Sequence, residues 1–117
     1  MDIRVYRNED EIYILELRGN FDLYSSTRIK DMVMKIIENK IEGLILDLKA
    51  VDAINTDGIG ALINISSTLR KLNYALAITN ISEVVSKTME VTKLKGYLPI
   101  TPTLRDAIDR INEAGAF

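Results

Sequence analysis

The chain has 117 residues, of which 47% are hydrophobic and 27% charged, with a formal net charge of −2. That balance suits one folded domain, and the absence of a Lys/Arg run argues against a nucleic-acid surface. There is no Cys and no His, which excludes disulfides, Cys-ligated zinc, thiol catalysis and the usual neutral-pH base.

No apolar run approaches the ~18–20 residues that span a bilayer. The start, Met1-Asp2-Ile3-Arg4-Val5, lacks the apolar stretch of a signal peptide. The expectation is a cytoplasmic protein without membrane contact, with residues 1–117 forming a single domain.

Ile3 to Arg7 reads as a short strand, Asn8-Glu9-Asp10 as a polar turn and Glu11 to Arg18 as a second strand, together a hairpin. Gly19-Asn20-Phe21-Asp22 breaks that pattern. Ile29, Met32, Val33, Ile36 and Ile37 then follow the spacing of an amphipathic helix. Asp22, Ser25 and Ser26 supply capping oxygens near its start. Gly43 punctuates the end, and Leu44-Ile45-Leu46-Asp47-Leu48 reads as a central strand covered on both faces.

The turn Asn55-Thr56-Asp57-Gly58-Ile59-Gly60 opens a second helix with a stripe of Ile59, Leu62, Ile63, Ser66 and Leu69. Ala75 to Thr79 is a further buried strand. Ser82 caps a third helix with Val84, Val85 and Met89 inward. Tyr97 to Ile100 is a last short strand. Thr101-Pro102 is an N-cap followed by Pro at the first helical position, and Leu104, Ala107, Ile108 and Ile111 form the last helical stripe. Met32, Met34 and Met89 are expected in or near the core. Lys93-Leu94-Lys95 is a solvated helix end, and Ala114-Gly115-Ala116-Phe117 either frays or docks through Phe117.

The order is α/β: a mixed, mainly parallel sheet with an N-terminal hairpin and four helices. Sites in such sheets lie beyond the C-terminal strand ends. That edge is expected to gather Asp22, Asp52, Asn55, Thr56, Asp57 and Asn80.

The Asn55–Gly60 turn has a plain structural reading. Asn, Thr and Asp are good N-caps, Gly58 tolerates tight angles, and Gly60 and Ala61 let the helix approach the sheet. It also has a chemical reading. A hydroxyl in the first turn of a helix sits among unpaired N–H groups that favour an anion. A phosphate on Thr56 would be accommodated there and would add roughly −1.5 to −2 charge to an exposed surface.

Three stretches together resemble the anti-sigma factor antagonists, the bacterial single-domain STAS proteins. Gly19-Asn20-Phe21-Asp22 is similar to the family's G-x-[LIF]-D turn, and Leu44–Leu48 to its central strand. Asn55–Gly60 is similar to its phosphorylation loop, D-[ST]-[SAT]-G-[LI]-G. The resemblance covers nearly the whole chain and implies the STAS fold. It puts Thr56 on the phosphoacceptor position and Asp22 on the neighbouring partner-binding loop. Gly58 and Gly60 fall on the glycines that open the second helix. Tyr24, Asn55, Asp57 and Ile59 complete the expected partner surface.

The implied mechanism is partner switching. The unmodified protein binds an anti-sigma factor serine/threonine kinase and releases its sigma factor. The kinase then phosphorylates the hydroxyl with ATP, and a phosphatase resets it. The implied protein is a monomer and not an enzyme, with no catalytic residues, metal or cofactor of its own.

Two positions depart from the family pattern. Asn55 replaces an Asp, and Asp57 stands where a small neutral residue is usual. The Asp57 carboxylate would repel a phosphate on Thr56, mimic one in part, or keep the loop's total charge from two positions away. The departures leave room for an unphosphorylated STAS scaffold or a regulatory subunit of a signalling or transport complex.

A receiver domain with aspartyl-phosphate chemistry at Asp47 fits less well. The first strand ends Val5-Tyr6-Arg7-Asn8 and offers no acidic pair for Mg²⁺. A small hydrolase using Asp22, Asp47, Asp52 and Asp57 lacks a G-x-x-x-x-G-K loop.

Overall fold

Asn8 closes the opening hairpin. Its side-chain oxygen accepts from the N–H of Asp10 at 2.9 Å and of Ile12 at 3.0 Å, while Glu11 takes a left-handed φ of 60°. The hairpin leads into the expected succession of elements in this computed structural model, which describes residues 1–115. They are β1 (Asp2–Arg7), β2 (Ile12–Phe21), α1 (Leu23–Ile36), β3 (Gly43–Ile54), α2 (Thr56–Lys71) and β4 (Ala75–Thr79). After them come α3 (Glu83–Val91), a 3-10 turn (Lys95–Tyr97), β5 (Ile100–Thr101) and α4 (Leu104–Gly115). The docking expected of Phe117 lies outside the described residues.

The five strands are ordered β1-β2-β3-β4-β5, with β1 antiparallel to β2 and every other neighbour parallel. Strand alternation divides the apolar residues between two faces. Leu15, Leu17, Leu44, Leu46, Leu48 and Ile78 face a larger core completed by α1, α2 and α3. Ile12, Ile14, Ile45 and Ala77 face Ala107 and Ile111 of α4. Burial of both faces explains the unbroken apolar run at the start of β3.

Several boundaries differ from expectation. Gly19-Asn20-Phe21 does not end β2. The strand runs on to Phe21 through register shifts at Glu16/Arg18 and Gly19/Asn20, because β3 also extends to Ile54 and pairs with it. The last strand is Ile100–Thr101 alone: Tyr97 belongs to the 3-10 turn, and Pro99 between them has no N–H for the ladder.

Thr101 lies in β5 and does not cap α4. Thr103 does, its hydroxyl oxygen accepting from Asp106 N–H at 3.1 Å. Val84 is 61% exposed, whereas Val85 and Met89, one helical turn apart, are fully buried. Met34 is also exposed, and Met32 packs at the core margin.

One correction changes the geography of the site. The last β3–β4 pair is Asp47 with Thr79, yet β3 continues to Ile54. Asn80, directly after β4, is therefore level with the middle of β3. Level with Leu48, it falls about 20 Å short of Ile54 along the strand, at ~3.3 Å per residue. Asp52 is an exposed residue within β3 and not a loop residue. Asn80 thus does not join Thr56 at one edge, while Asp52 lies two residues before the end of β3.

Candidate functional site

Two short connections, β2 to α1 and β3 to α2, meet at the projecting end of the β2–β3 pair. Each is built on a helix N-cap. Asp22 caps α1 with a reciprocal pair of bonds. Its Oδ1 accepts from Ser25 N–H at 3.1 Å, and Ser25 Oγ accepts from Asp22 N–H at 2.8 Å. The Ser25 N–H bond, joined by the Ser25 hydroxyl, holds the Asp22 carboxyl below its ordinary pKa.

Asn55 caps α2. Its Oδ1 accepts from Gly58 N–H at 3.0 Å, and its carbonyl accepts the first helical bond from Ile59 N–H, also at 3.0 Å. The cap is thus Asn55, and Asn caps as well as Asp does. The exchange of Asp for Asn removes a charge and keeps the bond. The charge reappears at Asp57, in the first turn of α2, where the helix dipole favours a carboxylate.

The two loops are tied together. Asn55 N–H donates to the Phe21 carbonyl at 3.3 Å. Ser26 Oγ, which donates to the Asp22 carbonyl at 2.6 Å, also lies 3.4 Å from the Asp57 carbonyl. Gly58 is buried against this junction: a Cβ there would fall 2.5 Å from the Phe21 carbonyl and 2.7 Å from Ile54 Cγ1. Gly58 is the position of close approach.

Gly60 is not one. It is exposed, and a Cβ on it would meet nothing within 4 Å. A glycine inside an exposed helical turn weakens the helix by about 1 kcal/mol against Ala, and the fold itself gives no return for it.

Of the expected surface residues, Asn55, Thr56, Asp57, Gly60 and Tyr24 are exposed and Asp22 is partly so. Ile59 is 1% exposed and belongs to the core, as does Gly58. Both support the loop from beneath and present no surface. Thr56 is the first residue of α2, and its hydroxyl enters no hydrogen bond among the described residues.

Leu23, overlooked in the sequence, is 57% exposed beside Tyr24 at 83%. Together they form an apolar step next to the Asp22 cap. Leu23 precedes the Ile29, Val33, Ile36 stripe by spacings that leave it off the buried face, so helical periodicity was the available signal.

Asp47, the residue a receiver domain would use, stands within β3. Its Oδ1 already accepts from Lys49 N–H at 3.0 Å and Asn80 Nδ2 at 3.2 Å. Among the described residues, no three Asp or Glu side chains form a metal-binding group, and no helix is long and apolar enough to cross a membrane.

Comparison with known proteins bears on the family and the fold. The chain is 24% identical over 101 residues to an anti-sigma-B factor antagonist of Bacillus subtilis, covering 86% of this chain and 91% of the relative. Its fold is similar to that of an anti-sigma factor antagonist from Mycobacterium paratuberculosis, with a TM-score of 0.79, 19% identity and 95% of each chain covered. It is also similar to the phosphorylated form of the Bacillus cell fate determinant SpoIIAA. There the TM-score is 0.68 at 17% identity, covering 94% of this chain and 99% of that one. The STAS domain family matches residues 3–107, and the chain belongs to that family.

Proposed function

We propose that this chain is an anti-sigma factor antagonist, regulated by phosphorylation of Thr56. Its partner is a kinase-type anti-sigma factor, bound through Asp22, Leu23, Tyr24 and the exposed residues of the Asn55–Gly60 loop. Binding displaces the sigma factor that the partner holds. The protein acts as a monomer in the cytoplasm and performs no catalysis of its own.

The observation that carries this reading is the placement of Thr56. Its hydroxyl is exposed at the first position of α2, engaged in no bond the fold requires, beside a loop junction locked from below. In the proposed step, Thr56 Oγ attacks the γ-phosphorus of ATP bound to the partner. A base of the partner takes the hydroxyl proton, and ADP leaves. A phosphatase later hydrolyses the ester to restore the hydroxyl and release inorganic phosphate.

The phosphate adds roughly −1.5 to −2 charge at a helix N-terminus, where it is tolerated by the fold and alters the contact surface. A protein of similar fold, SpoIIAA, exists in a phosphorylated form, which supports phosphorylation as the kind of regulation proposed. One feature favours a second reading, an unswitched scaffold: the Asp57 carboxylate is next to Thr56 in the chain, and its like charge opposes a phosphate there.

The test is co-purification of the candidate kinase with the wild-type chain and with Thr56→Ala, with and without ATP. Wild type should be released by ATP and the variant retained. Release of both by ATP would remove Thr56 from the mechanism.

A further inference from the structure

At the other end of α2 the fold builds a second polar site. The inward stripe of α2 has one hydroxyl, Ser66, which is only 6% exposed. It lines a cleft of about 200 Å³ between α2, the start of β4 and α4, with Arg70 from α2 and Arg110 from α4. A second cavity of about 290 Å³ adjoins it, sharing Arg70, Pro99 and Arg110 and opening past Gly96 and Tyr97.

Ser66 Oγ has no hydrogen-bond partner among the described residues, and neither arginine enters an ion pair or hydrogen bond there. Three side chains with donor groups, from two helices, thus line one cleft without a partner among the described residues.

The C-terminal end of α2 carries the negative pole of the helix dipole, which Arg70 and Lys71 in its last turn offset. Three of the last four carbonyls of α2 are also engaged: Thr68 accepts from Leu72 N–H at 3.1 Å, Leu69 from Tyr74 N–H at 2.9 Å and Arg70 from Asn73 N–H at 3.1 Å. Guanidinium groups bind phosphate oxygens in pairs, and a hydroxyl that reaches the cleft from the mostly buried Ser66 adds a directional donor.

We propose that this cleft binds a phosphate group, free or as a small phosphate monoester, through Ser66, Arg70 and Arg110. The outer cavity, flanked by the exposed ring of Tyr97, leaves room for an organic substituent. The site lies about 21 Å along α2 from Thr56, at ~1.5 Å per residue. It is therefore separate from the partner surface and independent of that reading.

The test is a titration of the full chain with inorganic phosphate and with glycerol phosphate, at constant ionic strength, followed by two-dimensional NMR of the backbone amides. Saturable shifts are expected around Ser66, Arg70 and Gly96–Leu98. Arg70→Ala and Arg110→Ala should each weaken them roughly tenfold or more. Both side chains are exposed, so the variants should keep the wild-type spectrum elsewhere. Tighter binding of glycerol phosphate identifies a monoester ligand, and equal binding identifies free phosphate. Absent or non-saturating shifts, shifts confined to Thr56–Gly60, or arginine variants that bind like wild type would each overturn the proposal.

Discussion

The Phe21 carbonyl and Gly58 are so close that a single methyl group could not fit between them. A Cβ on Gly58 would lie 2.5 Å from that oxygen, and Asn55 N–H donates to the same oxygen from 3.3 Å. The loop that carries Thr56 is thereby seated on the loop that carries Asp22. Gly58→Ala should push the two apart and lower stability by about 1–3 kcal/mol, as overpacking does. Denaturant unfolding measures the loss, and amide shifts at Asp22 and Ser25 should accompany it.

Gly60→Ala should do the opposite to stability. The site is open, so the alanine should gain about 0.5–1 kcal/mol through helix propensity. If a partner's surface lies close over this turn, the same methyl should weaken its binding. Paired unfolding and binding curves separate the two effects. A variant that is both more stable and equally well bound would take Gly60 out of the interface.

Asn55→Ala should remove the cap of α2 and cost about 1 kcal/mol. Asn55→Asp should keep the bond to Gly58 N–H and stay within about 0.5 kcal/mol of wild type. Thr56→Ala should be nearly neutral for stability, because the cap bond is made by Asn55 and not by Thr56. Thermal unfolding of the three variants in one buffer tests the ordering.

Asp22 gives a pH prediction. Its folded pKa is lowered, first by the bond from Ser25 N–H and then by the Ser25 hydroxyl. The unfolded chain therefore takes up its proton at higher pH than the folded one. The contribution of Asp22 is present above the ordinary carboxylate pKa of about 3.9 and is lost as pH falls through the lower folded value. Asp22→Asn should flatten the acid limb of the stability–pH curve, measured by urea unfolding between about pH 2 and 6.

Much of this architecture was legible in the chain. The Leu44–Leu48 run, apolar but for Asp47, demanded burial on both sides, and the Ile29, Val33, Ile36 spacing demanded one buried helix face. Asp22 and Ser82 were readable as caps because short acceptor side chains precede apolar-periodic segments.

Most of what failed depended on partners distant in sequence. Gly19-Asn20 carries the residue types of a turn, but β3 supplies a strand to pair with it. The stagger that separates Asn80 from Thr56 is a matter of register between β3 and β4, which no local pattern encodes. Pro102 drew the α4 cap to Thr101, while Thr103 with Asp106 had the same chemistry two residues later. In the sequence the close approach falls to Gly60 with Ala61, and only the seat against Phe21 shows that it belongs to Gly58.

The central claim is that Thr56 is the switched hydroxyl. The most direct measurement is phosphopeptide mass spectrometry of the protein isolated from its own cells, before and after stress. Phosphate on Thr56 whose occupancy changes with stress is the predicted result. A Thr56 peptide recovered unmodified under every condition, with full coverage of the loop, would contradict it and leave the unswitched STAS scaffold as the reading.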